Sequence, residues 1–288
     1  MNICAIGSSF RFIRCALVSL RGRDLPWQGF ILSLCLMAVA APAAALVGPA
    51  REAPQYAPYA VVVLDQTAAE TNVCTASVVA RNAVLTAAHC VSGLQGTHVF
   101  YREGSGKGVF LGVDKIAINP GYKPEAAGEG AFTIDLALLL LSAPLPQSFR
   151  PVEFDGAAPV AVGQRVHIAG FGLSDEDRVR IASFGPSEED KNGTSGILRA
   201  GVLISSGPKS KFAVLIDPAG RGLGGCIGDS GAPVFAGKEP LQVAVAIKAR
   251  GEGGNPCGDS TVAVQLAPQL PWLRATLQAW GGVQGLAQ

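Results

Sequence analysis

Residues 76–90 read Ala-Ser-Val-Val-Ala-Arg-Asn-Ala-Val-Leu-Thr-Ala-Ala-His-Cys. Two short apolar runs, Ala76–Ala80 and Ala83–Thr86, are separated only by Arg81 and Asn82. Runs this short and rich in valine and leucine read as strands. The pattern repeats outward in both directions: Tyr59–Leu64, Val109–Ile118, Leu136–Leu141, Arg165–Ala169, Phe212–Ile216, Ala232–Phe235, Leu241–Ile247 and Thr261–Leu266. Gly, Pro, Asn or Asp punctuate the runs. A sandwich or barrel is expected, not alternating βαβ units, so the fold class is all-β. The one exception is the tail from Ala267 to Trp280. Leu270, Leu273, Leu277 and Trp280 recur at helical spacing, and Pro271 suits a first turn, so a C-terminal amphipathic helix is expected.

Composition agrees. The chain has 288 residues, 49% hydrophobic and 16% charged, with 36 glycines and 19 prolines. That is enough apolar material for one large core or two smaller ones. The net charge of +1 leaves no electrostatic footprint for nucleic acid or an anionic membrane. Pro120–Gly130 and Ser174–Gly196 read as long surface loops, the second carrying an Asn192-Gly193-Thr194 triplet that is expected to stay unmodified.

The first 45 residues stand apart. Arg11, Arg14, Arg21 and Arg23 precede the apolar run Gly29–Ala41, and Pro42-Ala43-Ala44-Ala45 follows. That order is the signature of a secretory signal peptide ending at Ala45. The run is short for a membrane span, although an uncleaved anchor is the alternative. Cys4, Cys15 and Cys35 fall inside this segment, leaving Cys74, Cys90, Cys226 and Cys257. An even count in an exported chain points to two disulfides, with three pairings open. A metal site is not expected, because there is no C-x-x-C pair and there are only 3 histidines. No cofactor is implied.

Three local sequences carry chemistry: Thr86-Ala87-Ala88-His89-Cys90, Asp135-Leu136-Ala137-Leu138-Leu139 and Gly228-Asp229-Ser230-Gly231-Ala232-Pro233. Acyl transfer needs a nucleophile, a base and a group that orients the base. Ser230, His89 and Asp135 supply these types. An α/β-hydrolase would want G-x-S-x-G and the order Ser, Asp, His, which this chain lacks.

Taken together, TAAHC, DLALL and GDSGAP resemble the TAAHC, D-[IL]-A-L-[LI] and GDSGGP motifs of the trypsin/chymotrypsin family of serine proteases. The resemblance runs from about Leu46 to Trp280. It implies two six-stranded antiparallel β-barrels (residues 46–155 and 156–288) with a C-terminal helix, His89 and Asp135 in the first barrel, and Ser230 in the second. It implies a secreted, periplasmic or extracellular, monomeric endopeptidase acting on protein or peptide substrates. Further implied are the disulfides Cys74–Cys90 and Cys226–Cys257, and an oxyanion hole from the N–H groups of Gly228 and Ser230. Leu46 resembles the mature N-terminus, whose amino group would pair with Asp229. Signal cleavage after Ala45 would then activate the enzyme directly.

The resemblance also locates the specificity pocket. Gly224 falls at its floor, where cleavage after Lys or Arg needs a carboxylate, so that preference is not expected. Thr261 falls on the wall, and Lys248 either points in or faces solvent. Small or medium apolar side chains are the expected substrates. Departures from the family pattern are Pro49, Ile134, Ala232 and Ala249-Arg250-Gly251 in place of Ser-Trp-Gly. Those at Pro49 and around the pocket keep open the alternative of a catalytically inactive homologue serving as a secreted binding module, whereas Ala232 is a change that activity is expected to survive.

Overall fold

The fold is known from a computed structural model that describes residues 46, 50–67, 71–128, 132–154, 159–172, 197–217, 223–237, 241–250, 257–258 and 260–281. The proposed signal segment 1–45, the 174–196 loop and the Asn192 triplet lie outside the described residues.

The run at Ala76–Ala80 belongs to a longer strand, β3, and the run at Ala83–Thr86 is β4. In chain order the strands are β1 (Arg51–Glu52), β2 (Ala60–Gln66), β3 (Thr71–Ala80), β4 (Ala83–Thr86), β5 (Thr97–Arg102), β6 (Gly108–Ile118) and β7 (Ala137–Leu141). They continue as β8 (Glu153–Phe154), β9 (Arg165–Gly170), β10 (Arg199–Pro208), β11 (Ala213–Asp217), β12 (Pro233–Ala236), β13 (Leu241–Arg250) and β14 (Ser260–Gln265). Between β6 and β7, within the expected loop, Pro124–Gly128 forms a short helix, α1.

Strands β2-β3-β4-β7-β6-β5 close into a barrel, because β2 also pairs with β5. A second ring follows β9-β10-β11-β14-β13-β12 and closes through the β12–β9 pairing. Closure removes the exposed edges that an open sheet would leave unpaired. The ends of the first half do not stay with the first barrel: β1 pairs with β10, and β8 runs parallel to β13. Both barrels belong to one unit, Ala41–Gln288.

One buried cluster joins the barrels. It contains Ala60, Leu85 and Leu138 from the first and Ala169, Phe235 and Val264 from the second. The C-terminal helix α2 (Leu270–Ala279) closes over it with Leu270, Leu273 and Leu277, all buried, and Pro271 sits in its first turn. Each such leucine contributes roughly 1.5–3 kcal/mol. Asn119 Nδ2 donates to Gln269 Oε1 at 3.3 Å and ties the start of this helix to the end of β6. Among the described residues, no helix is long and apolar enough to cross a membrane.

Candidate active site

The stretch that follows β4 turns at once into a single 3-10 turn, Ala88–Cys90, which lifts His89 out of the barrel wall. Asp135 precedes β7, the hydrogen-bonded neighbour of β4, so the two residues come from adjacent strand ends. The Asp135 side chain is 10% exposed and grips His89 twice. Oδ1 accepts the His89 backbone N–H at 3.0 Å, and Oδ2 lies 2.6 Å from Nδ1. A carboxylate accepts only, so Nδ1 carries the proton and Nε2 is left as the basic nitrogen. The His89 side chain is 38% exposed. Ile134, where the family often has asparagine, packs over Gly121 and accepts no side-chain role in hydrogen bonding; its N–H bonds to the Gly121 carbonyl at 3.1 Å.

The loop behind His89 is pinned by a second carboxylate. Asp65 on β2, 3% exposed, accepts from Ser92 N–H at 3.0 Å, Ser92 Oγ at 2.9 Å and Thr97 Oγ1 at 2.7 Å. The disulfide Cys74–Cys90 fastens the same turn to β3. His89 and these two sulfurs lie within 4.8 Å of one another, but both sulfurs are committed to the disulfide and offer no thiolate to a metal ion.

The Ser230 backbone, from the second barrel, lies beside that turn, and among the described residues no hydrogen bond joins the Ser230 hydroxyl to His89. The Ser230 carbonyl accepts the Thr75 N–H at 2.8 Å and lies 3.9 Å from the sulfur of Cys90, the residue after His89. Two overlapping turns shape the segment, with Asp229 N–H to Cys226 O at 3.1 Å and Ala232 N–H to Asp229 O at 3.0 Å. Gly228 sits at φ +96°, a region that glycine enters without penalty. Neither the Gly228 N–H nor the Ser230 N–H donates to another described residue. Ala232, the departure from GDSGGP, buries its methyl in the core of the second barrel.

Asp229 points the other way. It is 2% exposed, and its carboxylate accepts Gly172 N–H and Cys226 N–H, each at 2.9 Å. Burial pushes its carboxyl up to about 7, against the opposing pull of these two donors. Leu46 is fully buried in the core of the second barrel, in the cluster that holds Ala232. Its φ of +60° is the one left-handed value at a non-glycine among the described residues.

Around Gly224 there is little room. A Cβ there would fall 2.5 Å from the Gly258 carbonyl oxygen. Thr261, 1% exposed, accepts the Gly225 N–H at 2.9 Å through Oγ1. Lys248 is exposed, whereas Ala249 lies against the Gly225 position. The two follow one another on β13, opposite Val262 and Thr261, so they face opposite sides. Ala249, which the sequence marked only as a departure from the family's Ser-Trp-Gly, therefore lies on the side of Gly225 and Thr261, and Lys248 takes its solvent-facing alternative. The second disulfide, Cys226–Cys257, frames the same region.

The family model described as Trypsin matches residues 46–273, beginning at the buried Leu46 and ending within α2. The chain belongs to the Trypsin family. Solved structures of the same fold include neuropsin, a serine protease expressed in the limbic system of mouse brain. It is 20% identical over 81% of this chain and 100% of that one, with a TM-score of 0.61. Human heparin binding protein is 20% identical over 84% and 99%, with a TM-score of 0.59. A scabies mite inactivated protease paralogue is 20% identical over 80% and 99%, with a TM-score of 0.60. No curated protein sequence matches the chain. Membership in the Trypsin family fits the two-barrel fold, its disulfides and peptide substrates; at 20% identity the solved neighbours speak to the fold alone.

Proposed function

We propose that this protein is an exported serine endopeptidase in which Ser230 is the nucleophile, His89 the base and Asp135 the orienting carboxylate. The double grip of Asp135 on His89 carries this reading. The Ser230 Oγ bonds to the scissile carbonyl carbon, and its proton passes to His89 Nε2. The carbonyl oxygen, now negative, is met by the Gly228 and Ser230 N–H groups. The C–N bond breaks as His89 returns the proton to the leaving amine. Water, deprotonated by the same nitrogen, then releases the acyl group. An inactivated paralogue shares the fold, so fold alone does not choose; the presence of all three side-chain types favours activity.

Burial of Asp229 supports a role for the chain end freed at Ala45–Leu46. An ammonium group beside that carboxylate would reverse the upward shift that burial imposes. Cleavage also removes the left-handed constraint at Leu46, since φ is no longer defined without residue 45. The tight surroundings of Gly224 and the buried Thr261 favour small apolar side chains at the cleavage site over Lys or Arg. The decisive experiment is fluorophosphonate labelling of purified processed protein, with its N-terminus sequenced. Ser230 should react and Ser230→Ala should not. Absence of labelling on intact Leu46-initiated protein would sink the reading.

A further inference from the structure

We infer that the Thr75 hydroxyl is the positioning group that holds the oxyanion-binding turn in register, an inference that rests on the serine protease reading above. Thr75 lies on β3 of the first barrel and is completely buried. Its Oγ1 donates to the Gly228 carbonyl at 2.9 Å and accepts the Phe171 N–H at 3.0 Å. Its own N–H donates to the Ser230 carbonyl at 2.8 Å, and its carbonyl accepts the Thr86 hydroxyl at 2.8 Å. One residue of the first barrel thus holds the carbonyls of both residues whose N–H groups face the reacting oxygen.

The hydroxyl has one proton to give. The Phe171 N–H already points at the oxygen, so that proton is committed to Gly228. This matters because Gly228, without a side chain at φ +96°, resists peptide rotation less than any other residue would. The Thr75 hydroxyl supplies the restraint that the glycine lacks. It also ties Gly228 to the Gly170–Gly172 segment, whose Gly172 N–H holds Asp229. The backbone bond to Ser230 survives any substitution at position 75, so the hydroxyl's share can be separated.

The test uses the processed protein and two variants, Thr75→Val and Thr75→Ser. The readouts are the second-order rate of fluorophosphonate labelling, kcat and KM on one peptide substrate, and the unfolding midpoint. Valine keeps the shape and loses the hydroxyl. Labelling rate and kcat should fall on the order of 10- to 100-fold with KM changed less than about threefold, as for a misplaced oxyanion donor. Serine should restore both to within about threefold of wild type. If Val does not fold, Thr75→Ala is read in its place. Wild-type labelling by the hydroxyl-free variant overturns the inference and leaves the protease reading intact. So does a serine variant as slow as valine. An unreactive wild type overturns both, and is seen before any variant is made.

Discussion

The carboxylate of Asp229 occupies the space in which Gly172 would carry a side chain, and Gly172 donates its N–H to that carboxylate at 2.9 Å. The contact couples a loop after β9 to the residue before Ser230. Gly172→Ala should push the carboxylate off its two donors, because a methyl there has no other room. We expect a stability loss of about 1–3 kcal/mol from overpacking. Fluorophosphonate labelling should slow by at least about tenfold, as the turn carrying Ser230 loses its anchor. Urea unfolding and labelling kinetics on the same preparation check both numbers.

The uncleaved chain should lose stability between about pH 4 and pH 7. Asp229 ordinarily titrates at 3.8, and burial raises it to about 7 in the folded chain. Across that interval the folded state keeps a proton that the unfolded state has released. The stability conferred by the neutral carboxyl is complete below the unfolded value and is lost as pH rises through the folded one. The loss is on the order of 3–4 kcal/mol at most. Urea midpoints of the precursor at pH 4.5 and 7.5 measure it, and Asp229→Asn should flatten the difference. A precursor whose midpoint rises over that range would contradict the account.

Substrate preference should resist the obvious redesign. A carboxylate at the pocket floor would ordinarily attract Lys or Arg, but the Gly258 backbone fills the space beside Gly224. Gly224→Asp should therefore be destabilising and should confer no cleavage after Lys or Arg. Thr261→Gly, by contrast, should raise kcat/KM for bulkier apolar residues by about tenfold. It also strands the Gly225 N–H, at about 1–3 kcal/mol of stability. Peptide-library cleavage profiles of the three proteins decide.

Asp65 should prove structural rather than chemical. Its Oδ1 gathers three hydrogen bonds from Ser92 and Thr97 behind His89. Asp65→Ala leaves buried donors without an acceptor and should cost about 2–4 kcal/mol. Asp65→Asn, which keeps an acceptor oxygen, should cost less. Thermal unfolding gives the order directly.

The sequence disclosed some of this readily. His89 and Asp135 stand in short, specific motifs, and the strand runs at 76–80, 83–86 and 109–118 fall inside β3, β4 and β6. The helix was legible because Leu270, Leu273 and Leu277 keep one face. Strands β5 and β10 were not. Thr97–Arg102 carries His98 and Arg102, and Arg199–Pro208 carries two glycines and two serines, so neither forms an apolar run. Only pairing with β2, β6, β9 and β11 makes them strands. The side that Lys248 faces was hidden by a bulge between Ala246 and Lys248, which shifts the register before the pocket wall. Thr75 gave no local signal at all, since its partners lie 96 and 153 residues away in the chain.

The course of β1 bears on the order of folding. Every strand of the first ring lies within residues 60–141, so that ring can close while the rest of the chain is still being made. Arg51 and Glu52 must wait for β10, and Leu46 for a core that includes Ala263. The earliest described residue is thus among the last to find its seat. A protease that trims the chain during transport would meet this end while it is still loose, before anything has closed around it.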